Sequence, residues 1–550
     1  MSMHDFKDGA FTLVQTFTST RLLIAATLLT TLLLSLFFLL RKPPSNQPPR
    51  IPERIPYISN TLLFLSNYSE LIRRAQPTFG TGNIVRFHVG PQPVYLVRGQ
   101  QHIARLLRTS TALASEGFVL LVLKGMAQMN PSDLAKFAND KSGRLKTPNP
   151  GTESTYPRYW ADQHALYADF LTPAQHSNAL AQRYFLALRE QLGTTIPPSG
   201  EEWETLHLHT FTRTLISTSA LISLCGPSIL TLTPNIVPLY WDFDKNVNPI
   251  LYGAPRWLFP QSYAAQDKFY AGIERWLDHA QETFNWDDKS ALESDWEPVF
   301  GSRLCREAAA WLKRGGFSKA ATVGIFGGIV FALQANTISI ATWTVMHLLQ
   351  RREVLEAARE EAKRALIENG EGKTVGIDEQ RLVGMTLLQA VFAETLRLHV
   401  TFPMSREVME EGVEFEGYRI PKGAYVQGTA GIEHFDEEAW GEDGYAVREF
   451  WPERHLADGE KLGEKVFSMA GKTVKFFPFG GGPGMCPGRH FAKQEVLLTI
   501  AALLTMFEIE FVEWTNLDGS RSDREARNDE SYAATMPPDR DAKIRLSRID

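Results

Sequence analysis

The sequence predicts a mainly α fold with small β-sheets. Long runs of helical apolar spacing fill the middle and the end of the chain. Short strand-like runs lie only at the margins. Strand and helix do not alternate as they would in a doubly wound sheet. The 550 residues are 44% hydrophobic, 22% charged and 11% aromatic, enough to bury a large core. Disorder, collagen-like repeats and small disulfide scaffolds are excluded. Lys+Arg of 57 against Asp+Glu of 63 gives a net charge of −6. The chain thus lacks the basic excess of a nucleic-acid binder, and no nucleic-acid partner is expected. Cys225, Cys305 and Cys486 are far apart in sequence and form no CxxC. Neither a disulfide framework nor a cysteine-rich zinc site is expected.

The first element is apolar. Residues 22–40 read LLIAATLLTTLLLSLFFLL, without a charge. Roughly 20 such residues, at about 1.5 Å each, span a bilayer's hydrocarbon core. A cleaved signal peptide would have a shorter apolar region and small residues after it. Here Arg41, Lys42 and a proline cluster follow, so the expectation is a retained transmembrane anchor. Arg41, Lys42, Arg50 and Arg54 lie after the stretch, against Lys7 and Arg21 before it. This asymmetry puts the main body in the cytoplasm and makes residues 1–21 a short lumenal tail. Prolines 43, 44, 48, 49, 52 and 56 read as a stiff linker over 41–56, leaving 57–550 as one catalytic domain.

Within that domain, residues 84–89 and 94–97 read as strands of a small sheet. Helical patterns cover about 173–191, 320–351, 353–368 and 379–398. Residues 413–426, with Gly417, Pro421 and Gly423, read as strand–turn–strand. His207 and His209 form no metal-ligand set and read as structural or exposed.

The stretch FFPFGGGPGMCPGRHFA, residues 476–492, carries the chemistry. Gly480, Gly481, Gly482 and Gly484 precede Cys486, Pro487-Gly488 follow it, and a helical run begins at Arg489. Glycines let a backbone approach a flat ligand closely. A helix N-terminus favours thiolate over thiol. A thiolate on such a loop is what a cysteine ligand to haem iron requires. A phosphate-binding glycine loop would need Lys-Ser/Thr after the glycines, and none follows.

On these residues the sequence resembles the cytochrome P450 family. Its signature F-x-x-G-x-x-x-C-x-G is met at Phe479, Gly482, Cys486 and Gly488. Glu394 and Arg397 match E-x-x-R, and residues 450–455 match F-x-P-x-R-F, with His455 where phenylalanine is usual. The resemblance implies the P450 fold, haem b with Cys486 as axial ligand, and a charged triad of Glu394, Arg397 and Arg454 behind the haem loop. It also implies cationic partners for the haem propionates at Arg406 and at His164. The latter stands where a W-x-x-x-R beginning at Trp160 would carry arginine.

The chain departs from the family on its long central helix. Where A/G-G-x-D/E-T-T is usual, residues 331–337 read FALQANT, without a carboxylate. Two registers put either Ala335 and Asn336, or Asn336 and Thr337, in the acid and alcohol places. This stretch, with C-P-G-R at the ligand and Gly484 in place of an arginine, is similar to the branch of sterol 7α- and 12α-hydroxylases and prostacyclin synthase. An amide cannot act as the acid, so Asn336 is expected to position a water. The resemblance therefore implies a monooxygenase of a lipophilic substrate, fed by NADPH-cytochrome P450 reductase at the endoplasmic reticulum membrane. A haem-thiolate isomerase or dehydratase of lipid peroxides is the alternative, and a non-catalytic haem- or lipid-binding membrane protein a second. Lys461, Lys465, Lys472 and Lys475, ahead of the cysteine loop, are expected to face an acidic reductase surface.

Overall fold

The computed structural model describes residues 29–30 and 46–549, apart from 109, 153–156, 197–202, 369–373, 443, 462 and 533. The tail at 1–21 and the proposed anchor lie outside the described residues, except that residues 29–30 are helical. The fold is mainly helical with small sheets, as expected. The largest sheet orders Ile84–Val89, Gln92–Val97, Tyr425–Thr429, Pro403–Val408 and Leu113–Ala114 side by side. All its neighbours are antiparallel except Gln92–Val97 with Tyr425–Thr429. A second sheet joins Phe507–Thr515, Asp541–Arg548 and Glu204–His207. The expected linker is partly in the domain: Ile51 is fully buried, and Pro49 and Ile51 bond the backbone of Arg86 at 2.8 and 2.9 Å.

Three helices position the site. One is the pair Lys319–Gln334 and Thr337–Gln350, the second Thr386–His399, the third Arg489–Met506. The last two and the second half of the pair share one apolar core, while Lys319–Gln334 packs mainly with the helices of residues 208–314. By length and apolarity 319–350 could cross a bilayer, but most of it is buried inside the protein.

Three expected helices are interrupted. The central pattern breaks at Ala335-Asn336. There the Thr337 and Ser339 hydroxyls donate to the carbonyls of Leu333 and Ala335 at 2.8 and 3.3 Å, and such back-bonding bends helices. The 379–398 pattern breaks after Glu379–Val383 at Gly384. The new start is capped from another helix, where the Glu361 carboxylate accepts from the N–H groups of Leu387 and Leu388 at 3.0 and 2.9 Å. The 353–368 pattern stops as a helix at Lys363, and Leu366–Glu368 pairs with Thr374–Ile377 instead. In the 413–426 segment, Glu416 and Gly417 both have positive φ (49° and 78°), the backbone of a tight primed hairpin turn. The chain also brings Cys225 and Cys305 together as buried free thiols, and burial followed by the neighbouring thiol pushes Cys225 well up.

Candidate active site

Cys486 sits half-buried between the glycine loop and the start of helix Arg489–Met506. Its N–H donates to the Phe479 carbonyl at 2.9 Å, which folds the loop back on itself. Gly480 and Gly482 have φ of +68° and +61°, a region only glycine enters at little cost. A side chain on Gly482 would collide with the Leu107 carbonyl, and one on Gly481 with the Leu107 side chain. On Gly488 a Cβ would lie 3.9 Å from the Cys486 sulfur. Burial pushes the free thiol up, while the Gly488 N–H, the Arg489 charge and the Arg489 N–H pull it down. The helix start thus acts in the expected direction, but desolvation outweighs it until a metal replaces the thiol proton.

Behind the loop, Glu394 is completely buried and accepts from both sides of the Arg397 guanidinium, each at 2.8 Å. Arg454 Nε reaches the same carboxylate at 3.3 Å. Two further groups complete it: the Trp451 N–H at 3.1 Å and His455 Nε2 at 3.0 Å. Burial alone would raise the Glu394 carboxyl; the hydrogen bonds from Arg397 and His455, and their charges, hold it at about 2. The expected three-residue cluster is therefore a four-residue one, because histidine at 455 adds a donor that phenylalanine lacks. His434 joins the cluster to the loop: its Nδ1 faces the Arg397 carbonyl at 3.2 Å and its Nε2 accepts from the Phe477 N–H at 3.3 Å.

On the central helix pair, Gly328, Ala332 and Asn336 are at least partly exposed among mostly buried neighbours, an open stripe with a four-residue period. Asn336 is exposed at the helix break, whereas Thr337 is buried with its hydroxyl bound to Leu333. Beside Thr337 lies Glu495, a residue that no sequence motif marks. It is 1% exposed and neither oxygen meets a hydrogen-bond donor in good geometry. Burial pushes its carboxyl up to about 8, partly opposed by the Thr337 hydroxyl. The available signal was a lone carboxylate in the apolar run of helix 489–506.

Arg406, on strand Pro403–Val408, reaches the cysteine loop: its Nη2 is 3.8 Å from where a Cβ on Gly484 would stand. His164 lies partly buried on helix Tyr159–Leu171, one turn beyond Trp160. The lysines differ from expectation. Lys475 bridges Glu433 and Asp436 at 2.7 and 2.9 Å. Lys472 donates to the Arg454 carbonyl at 2.7 Å and lies 5.3 Å from the centre of the Trp440 ring. Both brace the loop internally, so neither is a loose surface charge. Among the described residues, no group of three or more His, Cys, Asp or Glu side chains could hold a metal ion.

The donor set fits a haem. It offers one sulfur on a loop with no room for side chains, a guanidinium at that loop, and an open stripe on a buried helix. The family model for cytochrome P450 matches residues 255–522. A cytochrome P450 monooxygenase of Penicillium decumbens, calL, is 37% identical over 92% of this chain and 93% of its own. The 25-hydroxycholesterol 7-alpha-hydroxylase of Rattus norvegicus is 33% identical over 34% of this chain and 46% of its own. The solved structure of retinoic acid-bound cyanobacterial CYP120A1 shares the fold, with a TM-score of 0.60 and 17% identity over 91% of this chain and 99% of its own. The chain belongs to the cytochrome P450 family and is a haem-dependent monooxygenase with a cysteine thiolate as iron ligand.

Proposed function

We propose a membrane-anchored monooxygenase that inserts one oxygen atom into a lipophilic substrate of the sterol or terpenoid class. Its electrons come from NADPH through cytochrome P450 reductase at the endoplasmic reticulum membrane. The observation that carries the reading is the Cys486 loop, tied through His434 to the buried Glu394 cluster. When bound, the haem supplies reductive activation of dioxygen under the electron donation of the thiolate. Cys486 holds the iron, and the Gly488 and Arg489 N–H groups temper the charge on its sulfur. Glu394, Arg397, Arg454 and His455 fix the loop from behind.

The central helix offers no acid at 335–337. Glu495, with its carboxyl pushed up to about 8, keeps its proton at neutral pH in the packed helix interface beside Thr337, off the open stripe. Asn336, exposed at the helix break, holds a water by its amide.

The branch resemblance and the rat relative's name support a sterol or another polycyclic lipid. The missing helix acid favours a second reading, rearrangement of a lipid peroxide without a reductase. Labelled dioxygen separates the two. Label in the product, dependent on reductase, supports the monooxygenase; unlabelled turnover of a peroxide without reductase supports the isomerase.

A further inference from the structure

The haem carries two carboxylates, and the sequence identifies one arginine for them, Arg406. Arg144 is a second cation near it that no motif marks. Its side chain is 19% exposed, and its Nε and Nη2 are buried without hydrogen-bond partners. The nearest anion is Glu116, at ion-pair distance (3.3 Å) from Nε. The guanidinium lies 5.2 Å from the centre of the Trp160 ring. Trp160 is itself fixed, donating its N–H to Asp140 at 3.1 Å and its indole N–H to the Phe137 carbonyl at 2.9 Å.

The loop carrying Arg144 is clamped as well. Arg158 donates to the carbonyls of Leu145 and Lys146, both at 2.7 Å, and to the Ser142 hydroxyl at 2.9 Å. Arg406 feels this group: burial lowers its pKa first, and the charge of Arg144 lowers it further. Two mostly buried guanidinium groups thus share one carboxylate, an arrangement that is costly unless an anionic ligand completes it. Guanidinium also matches carboxylate two bonds at a time, which the imidazole of His164 does not.

We propose that Arg144 and Arg406 form a two-cation cradle for the haem carboxylates, Arg144 taking the place of the helix arginine this chain lacks. The inference rests on the haem reading above. The test uses the full-length holoenzyme in detergent, after its reduced carbon monoxide spectrum has shown thiolate-ligated haem. Haem transfer to excess apomyoglobin and the haem midpoint potential are then measured for Arg144→Gln and Arg144→Lys. Arg144→Gln should speed haem loss roughly 10- to 100-fold, the loss of one charge-assisted hydrogen bond. Its potential should move negative, because an uncompensated carboxylate favours the oxidised iron. Arg144→Lys keeps the charge, so it should hold the wild-type potential while losing haem faster than wild type. That result stands alone if the glutamine variant does not fold. Wild-type loss rate and potential in Arg144→Lys and in any folded Arg144→Gln would overturn the proposal. So would faster haem loss in His164→Ala beside an unchanged Arg144→Gln. A wild-type protein without thiolate-ligated haem would instead overturn the haem reading itself.

Discussion

Glu394 accepts hydrogen bonds from Arg397, Arg454, His455 and the Trp451 backbone, all in a site closed to water. Removing it leaves two buried guanidinium groups without an anion, which costs about 3–5 kcal/mol. Glu394→Ala should therefore yield protein without haem, read from its absorbance spectrum; stable haem incorporation would refute the role. The carboxyl ordinarily titrates at 4.5 and in the fold at about 2. Its contribution is present above about pH 4.5 and is lost as pH falls toward 2. Acid unfolding followed by haem release should show this limb in the wild type and lack it in a Glu394→Gln variant that folds.

The sequence announced Glu394 and Arg397 by spacing, but not His455 as a donor. A histidine in an aromatic place looks like a packing change until Nε2 is seen 3.0 Å from Glu394. Glu495 was missed for a related reason. A single carboxylate in an apolar run carries no spacing signal, and its meaning comes from the Thr337 hydroxyl across the helix interface.

Among elements, the cysteine loop was the most legible, because glycine is the residue that tolerates both its positive φ and its approach to Leu107. Gly482→Ala should displace the loop from Leu107 and lower haem content sharply while far-UV helicity is retained. Full haem content in that variant would show that the loop has slack. The strand Ile84–Val89 lies where the strand-like run placed it, and helix Arg489–Met506 starts at the expected residue. The helix breaks were less legible. Apolar periodicity runs through Ala335-Asn336, and the hydroxyl back-bonds that bend the chain there depend on rotamers, not on pattern. The restart at Thr386 was hidden because its cap, Glu361, comes from another helix.

For the whole molecule, helix content and the family were readable from motif order over the last third of the chain, but not which lysines are available to a partner. Lys472 and Lys475 are committed to Arg454, Glu433 and Asp436, so charge reversal there should unsettle the loop rather than probe docking. Lys461 and Lys465 remain exposed, Lys465 paired only with the exposed Asp458. Reversing those two should lower the reductase association rate and weaken its salt dependence, measured by stopped-flow reduction. An unchanged rate would place the docking face elsewhere. Removing residues 1–45 should release the protein from membranes while keeping its haem, since the described domain starts its sheet contacts at Pro49. Fractionation and absorbance test both halves of that statement.

The ligation of haem iron by Cys486 underlies the proposed reductase-driven activity. Its most direct test is the carbon monoxide difference spectrum, with NADPH plus reductase compared against dithionite, for wild type and Cys486→Ser. The wild type should show the red-shifted Soret band of thiolate ligation with both reductants, and the variant should lack it. A wild-type band without that shift, or the shifted band persisting in Cys486→Ser, would contradict it.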